Sequence, residues 1–158
     1  MLRRQFFMVV AGAAAFLASA QLAQAKKPAV YTGVVEGTGA GGYDVVAYQT
    51  QDDAVPGDVA ITAEHDGISY RFASEANRSM FEADPEKYLP RYGGYCAYAV
   101  AQGATAHGDP EQWTVHEGKL YLNYSAQVRR LWRRIELLGV RAGHKVATSP
   151  GQDHPLGA

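Results

Sequence analysis

The sequence is poor in cysteine and in net charge. Cys96 is the single cysteine among 158 residues, so an intrachain disulfide is excluded. A lone thiol in an oxidising compartment is a buried residue, a reactive group or a ligand. The net charge is −1 for the whole chain and −3 without Arg3 and Arg4. This small negative charge argues against nucleic acid or an anionic membrane as a partner bound through bulk charge.

Signatures of catalytic sites and of phosphate-binding loops are also lacking. No Ser-His-Asp arrangement, paired-carboxylate motif or cysteine-nucleophile signature is present, so the sequence does not indicate an enzyme. The glycine-rich stretch Gly37–Gly42 lacks the Lys-Ser/Thr ending of a phosphate-binding loop. We interpret residues 26–42 as a flexible N-terminal segment.

The N-terminus has the pattern of an export signal. Arg3 and Arg4 precede the apolar run Phe6–Ala20, whose 15 residues are fewer than the roughly 20 that span a bilayer. Ala23-Gln24-Ala25 then supplies a small-x-small cleavage pattern, which predicts cleavage after Ala25. The alternative is a retained N-terminal anchor. We expect a periplasmic or secreted protein with no stable membrane anchor after cleavage.

The export route is left open between two systems. Arg3-Arg4 followed by Phe6-Phe7 resembles a twin-arginine signal, and Lys26-Lys27 after the cleavage site disfavours the general secretory route. The alternative is an ordinary signal whose two positive charges are arginines.

Two later segments repeat each other at an offset of 51 residues. The first runs from His65-Asp66-Gly67 through Tyr70, Ser74 and Arg78 to Phe81, and the second from His116-Glu117-Gly118 through Tyr121, Ser125 and Arg129 to Trp132. Asp-Gly and Glu-Gly between strand-like runs predict hairpin turns, and each serine stands at a helix N-cap position. We therefore predict an α+β domain of short antiparallel strands with two to three helices, built from two hairpin-helix units. Chance resemblance between two hairpins is the alternative.

Composition and periodicity suggest the remaining elements. Tyr31–Val35 and Val45–Tyr48 have strand composition. One helix is predicted from Ser74 to about Ala83, with Met80 and Phe81 inside, and a second from Ser125 to about Gly139. The core face of the second comprises Val128, Leu131, Trp132, Ile135 and Leu138. Its other flank holds four arginines, which form a solvated face or a docking site for an acidic protein partner: Arg129, Arg130, Arg133 and Arg134. Residues 148–158 are predicted to be a disordered tail.

Several ordered motifs between Tyr43 and Trp132 resemble the exported bacterial branch of the YHS-domain family. They are Gly42–Tyr48, Tyr70–Ser74, Phe81–Tyr88, Gly93–Ala97 and Gly118–Asn123. The resemblance implies a YHS-like domain over residues 43–147 and a presumed role in metal binding through cysteines. At the positions where the family's short module carries those cysteines, this chain has Ala47, Ala73 and Asn77.

Cys96 is the strongest candidate for chemistry. It follows Gly93-Gly94, where backbone can approach another group closely. It is interpreted as a ligand for copper or another soft metal, with His107 as the nearest imidazole in sequence. The alternative is a small buried hydrophobic residue at the start of a helix.

A second candidate site is a pocket between the two units. Tyr43, Asp44, Tyr48 and Tyr95, together with Cys96, are predicted to line it, and the ten tyrosines suit an apolar ligand with a polar end. Buried Tyr and Asp side chains that satisfy backbone groups are the alternative. Two functions therefore stand side by side: a YHS-type binding or accessory module for a soft metal, or a small-molecule or protein-binding domain in which Cys96 is structural.

Overall fold

The computed structural model describes residues 27–137. Four strands form two separate antiparallel hairpins. The strands are β1 (Asp58–His65), β2 (Ile68–Phe72), β3 (Asp109–His116) and β4 (Lys119–Asn123). The helices are α1 (Ala47–Thr50), α2 (Glu75–Ala83), α3 (Pro85–Tyr88), α4 (Ala97–Ala101) and α5 (Ala126–Leu137). Two short 3₁₀ segments, Gly39–Gly42 and Arg91–Gly94, are termed the first and second glycine turns.

The predicted α+β class with two hairpin-helix units is confirmed. None of the helices within residues 27–137 has the length and apolar character needed to cross a membrane. The predicted signal at residues 1–25 and the predicted tail at residues 148–158 lie outside the described part of the chain.

The two hairpins reverse direction through equivalent residue pairs. Asp66 and Gly67 have φ of 50° and 74°, and Glu117 and Gly118 have φ of 49° and 69°. Two successive residues with positive φ are the mark of the type I′ turn, whose twist matches that of the flanking strands. Glycine takes this conformation without strain. The local sequence therefore encodes both reversals.

The same irregularity interrupts the strand register of both hairpins. Asp58 pairs with Phe72 and Thr62 with Arg71, while Asp109 pairs with Asn123 and Trp113 with Leu122. Residues 59–61 and 110–112 are thus extra residues on the longer strand, as in a bulge that bends it. The register of each hairpin reproduces the 51-residue offset of the sequence.

Each hairpin leads into a capped helix. The Ser74 hydroxyl accepts a hydrogen bond from the Asn77 amide at 3.2 Å, and the Ser125 hydroxyl accepts from the Val128 amide at 3.3 Å. Such caps satisfy amides that have no partner within the helix. The predicted starts at the two serines are therefore correct.

The two units bury equivalent aromatic pairs. The ring centroids of Tyr70 and Phe81 are 5.2 Å apart, and those of Tyr121 and Trp132 are 4.6 Å apart. Tilted aromatic pairs at such distances add to the stabilisation from burial. The core cluster around Tyr70 and Phe81 also contains Val45, Val46, Phe72 and Tyr88, and a second cluster contains Tyr48, Leu120 and Leu122.

The repeat extends further upstream than the hairpins. Each glycine turn is followed by a tyrosine and then by a short helix, α1 or α4. This places Asp44, after the first turn, at the position equivalent to Cys96 after the second. We term residues 39–83 the first unit and residues 91–137 the second unit.

Some local predictions were wrong. Val45–Tyr48 is not a strand, because α1 begins at Ala47. Tyr31–Val35 is not a strand either, although Val35 forms an isolated bridge with Thr38. Met80 and Leu131 are each 40% exposed instead of lying inside. Each precedes the residue that fills the core, and adjacent helix positions point about 100° apart.

Candidate functional site

Asp44 is fully buried and its carboxylate is saturated with hydrogen bonds. Oδ1 accepts from the amides of Val46 and Ala47 at 2.9 and 3.3 Å. Oδ2 accepts from the Ala73 amide at 2.8 Å and from the Asn77 side-chain amide at 2.7 Å. A carboxylate offers about four lone-pair positions, so these bonds use its capacity. Asp44 therefore ties the start of α1 to the start of α2.

The three residues named above in connection with the predicted family resemblance lie close together. Ala47, Ala73 and Asn77 all donate hydrogen bonds to the Asp44 carboxylate. In this chain those positions therefore meet around a buried carboxylate that is already satisfied.

Cys96 occupies the equivalent position in the second unit and also faces the core. It is 1% exposed and forms the N-cap residue of α4. Its thiol lies 3.8 Å from the Asn123 side-chain oxygen, which also accepts from the Tyr98 amide at 3.3 Å. The Tyr98 amide needs an acceptor, so it fixes the orientation of the Asn123 amide. The thiol thus donates to a neutral, buried group.

Cys96 and His107 lie on opposite faces of one short backbone ladder. Tyr95 pairs with His107 in an isolated antiparallel bridge, and the Cys96 amide donates to the Ala106 carbonyl at 2.9 Å. Successive side chains on extended backbone point to opposite sides. Cys96 accordingly points into the core, while His107 is exposed on the side of Tyr95.

The described residues do not fit a soft-metal site at Cys96. Within residues 27–137, no group of three or more His, Cys, Asp or Glu side chains is placed to hold an ion. Soft ions bind thiolate and imidazole donors, whereas the polar neighbour of Cys96 is an amide. Metal binding through Cys96 and His107 stays a prediction.

An open cleft lies beside Tyr95 and His107. Its volume is about 420 Å³, and residues 27–33 form much of its wall. Its lining comprises Lys27, Pro28, Val30, Tyr31, Thr32, Gly33, Tyr95 and His107, and we term it the aromatic cleft. The volume is in the range of pockets that hold small organic ligands.

Specific bonds hold residues 27–33 against the second unit. The Tyr31 amide donates to the Gly93 carbonyl at 2.9 Å, and the Tyr95 hydroxyl donates to the Pro28 carbonyl at 3.0 Å. The Lys27 ammonium donates to the Thr105 hydroxyl. A Cβ on Gly93 would lie 1.9 Å from the Ala29 carbonyl oxygen, so this close approach needs glycine.

Aromatic rings dominate the floor of the cleft. The Tyr31 ring lies 5.5 Å from Tyr95 and 6.1 Å from His107, nearly parallel to the latter at 28°. The half-exposed Tyr124, which is not a lining residue, has its ring centroid 4.5 Å from that of His107. Offset and tilted rings at these separations attract one another, so they present a preformed surface for a planar ligand.

Of the four residues predicted to share one pocket, Tyr95 lines the aromatic cleft. Tyr43, Asp44 and Tyr48 are not among its lining residues. The Tyr48 hydroxyl is buried and donates to the Pro110 carbonyl at 2.9 Å. Burial raises the pKa of Tyr48 far above its usual value. Tyr48 is therefore a buried core residue.

Tyr43 and Tyr95 are equivalent in the repeat but have different electrostatic surroundings. The Tyr43 hydroxyl donates to the Glu111 carboxylate at 2.9 Å. That hydrogen bond raises the pKa of Tyr43, and burial and the charges of Glu111 and Asp109 raise it further. Burial raises the pKa of Tyr95, and the neighbouring Tyr31 adds to this effect. The surroundings of Tyr43 are thus acidic, whereas the described residues that line the cleft beside Tyr95 include no acidic side chain.

The predicted arginine face is divided. Arg130, Arg133 and Arg134 are exposed. Arg129 is half-buried and donates to the Trp113 carbonyl at 3.3 Å, so it links α5 to β3. Three of the four arginines remain available on the surface.

Sequence reasoning missed the contribution of residues 27–33. Tyr31 and Lys27 lie more than 60 residues from Tyr95 and His107, and no periodic pattern connects them. The available signal was Gly93-Gly94, which was correctly read as a place of close backbone approach. The sequence did not indicate which segment approaches these glycines.

Comparisons with known proteins supply no relative from which to carry over a site. No protein-family model, curated protein or solved structure matches this chain.

Proposed function

We propose that this chain is an exported YHS-type binding module that holds a small organic ligand with a planar ring in the aromatic cleft. Cys96 serves as a core residue in this proposal. The observation that carries it is the cleft of about 420 Å³ lined by Tyr31, Tyr95 and His107. Export stays a prediction from the N-terminal pattern of the sequence.

The shape of the cleft supports binding rather than chemistry. Its rings are held by backbone bonds to a folded unit, so a ligand would meet a surface that is already organised. Preorganisation reduces the ordering cost of binding. The polar groups beside the rings are few, which suits a site that orients a ligand.

The position of Cys96 supports its structural role. The thiol is 1% exposed and faces the Asn123 amide, while the cleft lies on the other side of the ladder. A buried cysteine with a neutral partner behaves as a small hydrophobic residue.

Titration with benzamide, an uncharged planar probe, tests the proposal. With the protein purified after export by its own signal, we expect millimolar benzamide to shift the NMR signals of the His107 ring and the Tyr95 amide. Tyr31→Ala removes one wall and should weaken binding at least fivefold. Cys96→Ser should leave the affinity within about twofold.

Two outcomes would contradict the proposal. Shifts confined to residues outside the cleft, or absent altogether, would remove its basis. Stoichiometric copper in the purified protein that disappears in Cys96→Ser would instead favour the metal-binding module.

A further inference from the structure

We infer that the aromatic cleft selects a planar aromatic anion, of the aromatic carboxylate class, over neutral and cationic rings of the same size. This inference rests on the proposed function of the cleft. It deepens that function by naming the charge of the ligand.

Among the described residues that line the cleft, the charged side chain is a cation. Lys27 contributes an ammonium group, His107 adds an imidazole, and the eight described lining residues include no aspartate or glutamate. The mature chain as a whole carries a net negative charge, so the cleft differs from the average surface. Local charge of one sign in a concave surface concentrates ligands of the opposite sign.

The Lys27 charge is not neutralised by a carboxylate of the described chain. Its ammonium donates to the Thr105 hydroxyl, a neutral partner, and it takes part in none of the ion pairs found among residues 27–137. An ammonium group has three N–H donors, so further donors remain for a ligand oxygen.

His107 adds a polar atom within the ring surface. Its imidazole is exposed, and its ring centroid lies 6.1 Å from that of Tyr31 and 4.5 Å from that of Tyr124. A neutral imidazole donates through one nitrogen, and an imidazolium donates through both. A ring stacked here could therefore place a carboxylate against an N–H donor without leaving the aromatic surface.

The acidic surroundings of Tyr43 provide an internal contrast. There the equivalent tyrosine donates to Glu111, with Asp109 near by, on the same glycine-turn scaffold. At the cleft, the Tyr95 hydroxyl is instead directed to the Pro28 carbonyl. The surroundings of the two tyrosines thus share a backbone plan and differ in charge, so the positive charge at the cleft comes from its own side chains.

The test compares three probes with the same ring: benzoate, benzamide and benzylamine. Dissociation constants come from NMR titration of the exported protein, followed at the His107 ring and the Tyr95 amide. We expect benzoate to bind about fivefold more tightly than benzamide, as for one partly solvated charge contact, and benzylamine to bind most weakly. Added salt should reduce the benzoate advantage.

Variants assign the selectivity to Lys27. Lys27→Gln should weaken benzoate more than benzamide, so that the preference for benzoate is lost, and Lys27→Arg should restore the preference. Arg130→Gln makes the same change in net charge on α5, away from the cleft lining, and should leave the preference intact.

The possible failures are distinguishable. Benzamide and benzoate binding equally well in the cleft would overturn the charge inference while the proposed function stands. A Lys27→Gln variant that weakens both probes equally would also overturn it, because Lys27 would then act only by holding residues 27–33. Absence of binding by all three probes would remove the proposed function itself.

Discussion

The first and second units place different groups at one equivalent position. After the first glycine turn, Asp44 accepts four hydrogen bonds from both ends of its unit. After the second, the Cys96 thiol donates one weak hydrogen bond to the Asn123 side-chain oxygen, which also accepts from the Tyr98 amide. The same backbone plan is therefore closed by a buried carboxylate in one unit and by a neutral amide in the other.

The units also differ in what covers their glycine turns. A Cβ on Gly41 would lie 2.6 Å from the Pro110 side chain, so β3 covers the first turn. The second turn is covered by residues 27–33, which leave the aromatic cleft open beside them. The comparison teaches that a repeated scaffold leaves an open cleft, the site of our proposed ligand, where its repeat neighbour is replaced by a separate segment.

The largest expected effect on the free energy of unfolding is that of replacing Asp44, and it should exceed the effect of replacing Cys96. Asp44→Ala removes the acceptor of four donors and leaves them buried or half-buried without it, so the free energy of unfolding should fall by about 3–5 kcal/mol. Cys96→Ala should cost about 1 kcal/mol, because it removes a small side chain with a weak hydrogen bond. Urea unfolding followed by tryptophan fluorescence measures both. Equal losses would show that the two positions are equivalent in energy as well as in place.

A smaller effect is expected where residues 27–33 meet the second turn. Gly93→Ala places a Cβ 1.9 Å from the Ala29 carbonyl oxygen at a residue with φ of 61°. We expect a loss of about 2–3 kcal/mol and loss of benzamide binding, because the segment is displaced and the left-handed conformation is strained.

Gly103→Ala is the matched control for Gly93→Ala. Gly103 has φ of 74° and open space around its Cβ position, so its cost is the strain alone, about 1–2 kcal/mol. Benzamide binding should survive in this variant. Equal behaviour of the two variants would argue that the segment contributes nothing to the cleft.

The smallest effect concerns alkaline pH and the core of the first unit. Burial raises the pKa of Tyr70 well above its ordinary value of 10.0. A raised folded-state pKa means that this contribution to stability is complete below pH 10. It is lost as pH rises above 10, where the unfolded chain ionises first. Tyr70→Phe should therefore flatten the fall in unfolding free energy between pH 10 and 11. An unchanged slope would contradict this reading.

Much of the scaffold was legible because its signals are local. Asp66-Gly67 and Glu117-Gly118 encode turns, and Ser74 and Ser125 encode helix starts, each within a few residues. Val45–Tyr48 was misread, because a buried apolar run has the same composition in a strand and in a short helix. The Asp44 side chain favours the helix, because it accepts hydrogen bonds from the amides at the start of α1.

The candidate site was harder to predict from the sequence, because it depends on contacts between residues that are far apart along the chain. Tyr95 was predicted as a pocket residue and lines the cleft. Its partners Tyr31 and Lys27 come from residues 26–42, which were interpreted as a flexible N-terminal segment. Asp44 and Tyr48 were grouped with Tyr95 by residue type and by the expectation of a pocket between the two units. Their hydrogen bonds to Asn77 and Pro110 draw them into the core instead.

The contact between residues 27–33 and the second unit has a consequence for the order of assembly. Pro28 and Tyr95 are separated by 67 residues and Lys27 and Thr105 by 78, whereas each hairpin closes locally. Long-range closures cost more chain entropy and form after local ones. The wall of the cleft should thus be the last part to fold and the first to show hydrogen exchange. The segment can then detach while both hairpins persist, so a ligand that contacts this wall should hold the segment in place and slow its hydrogen exchange.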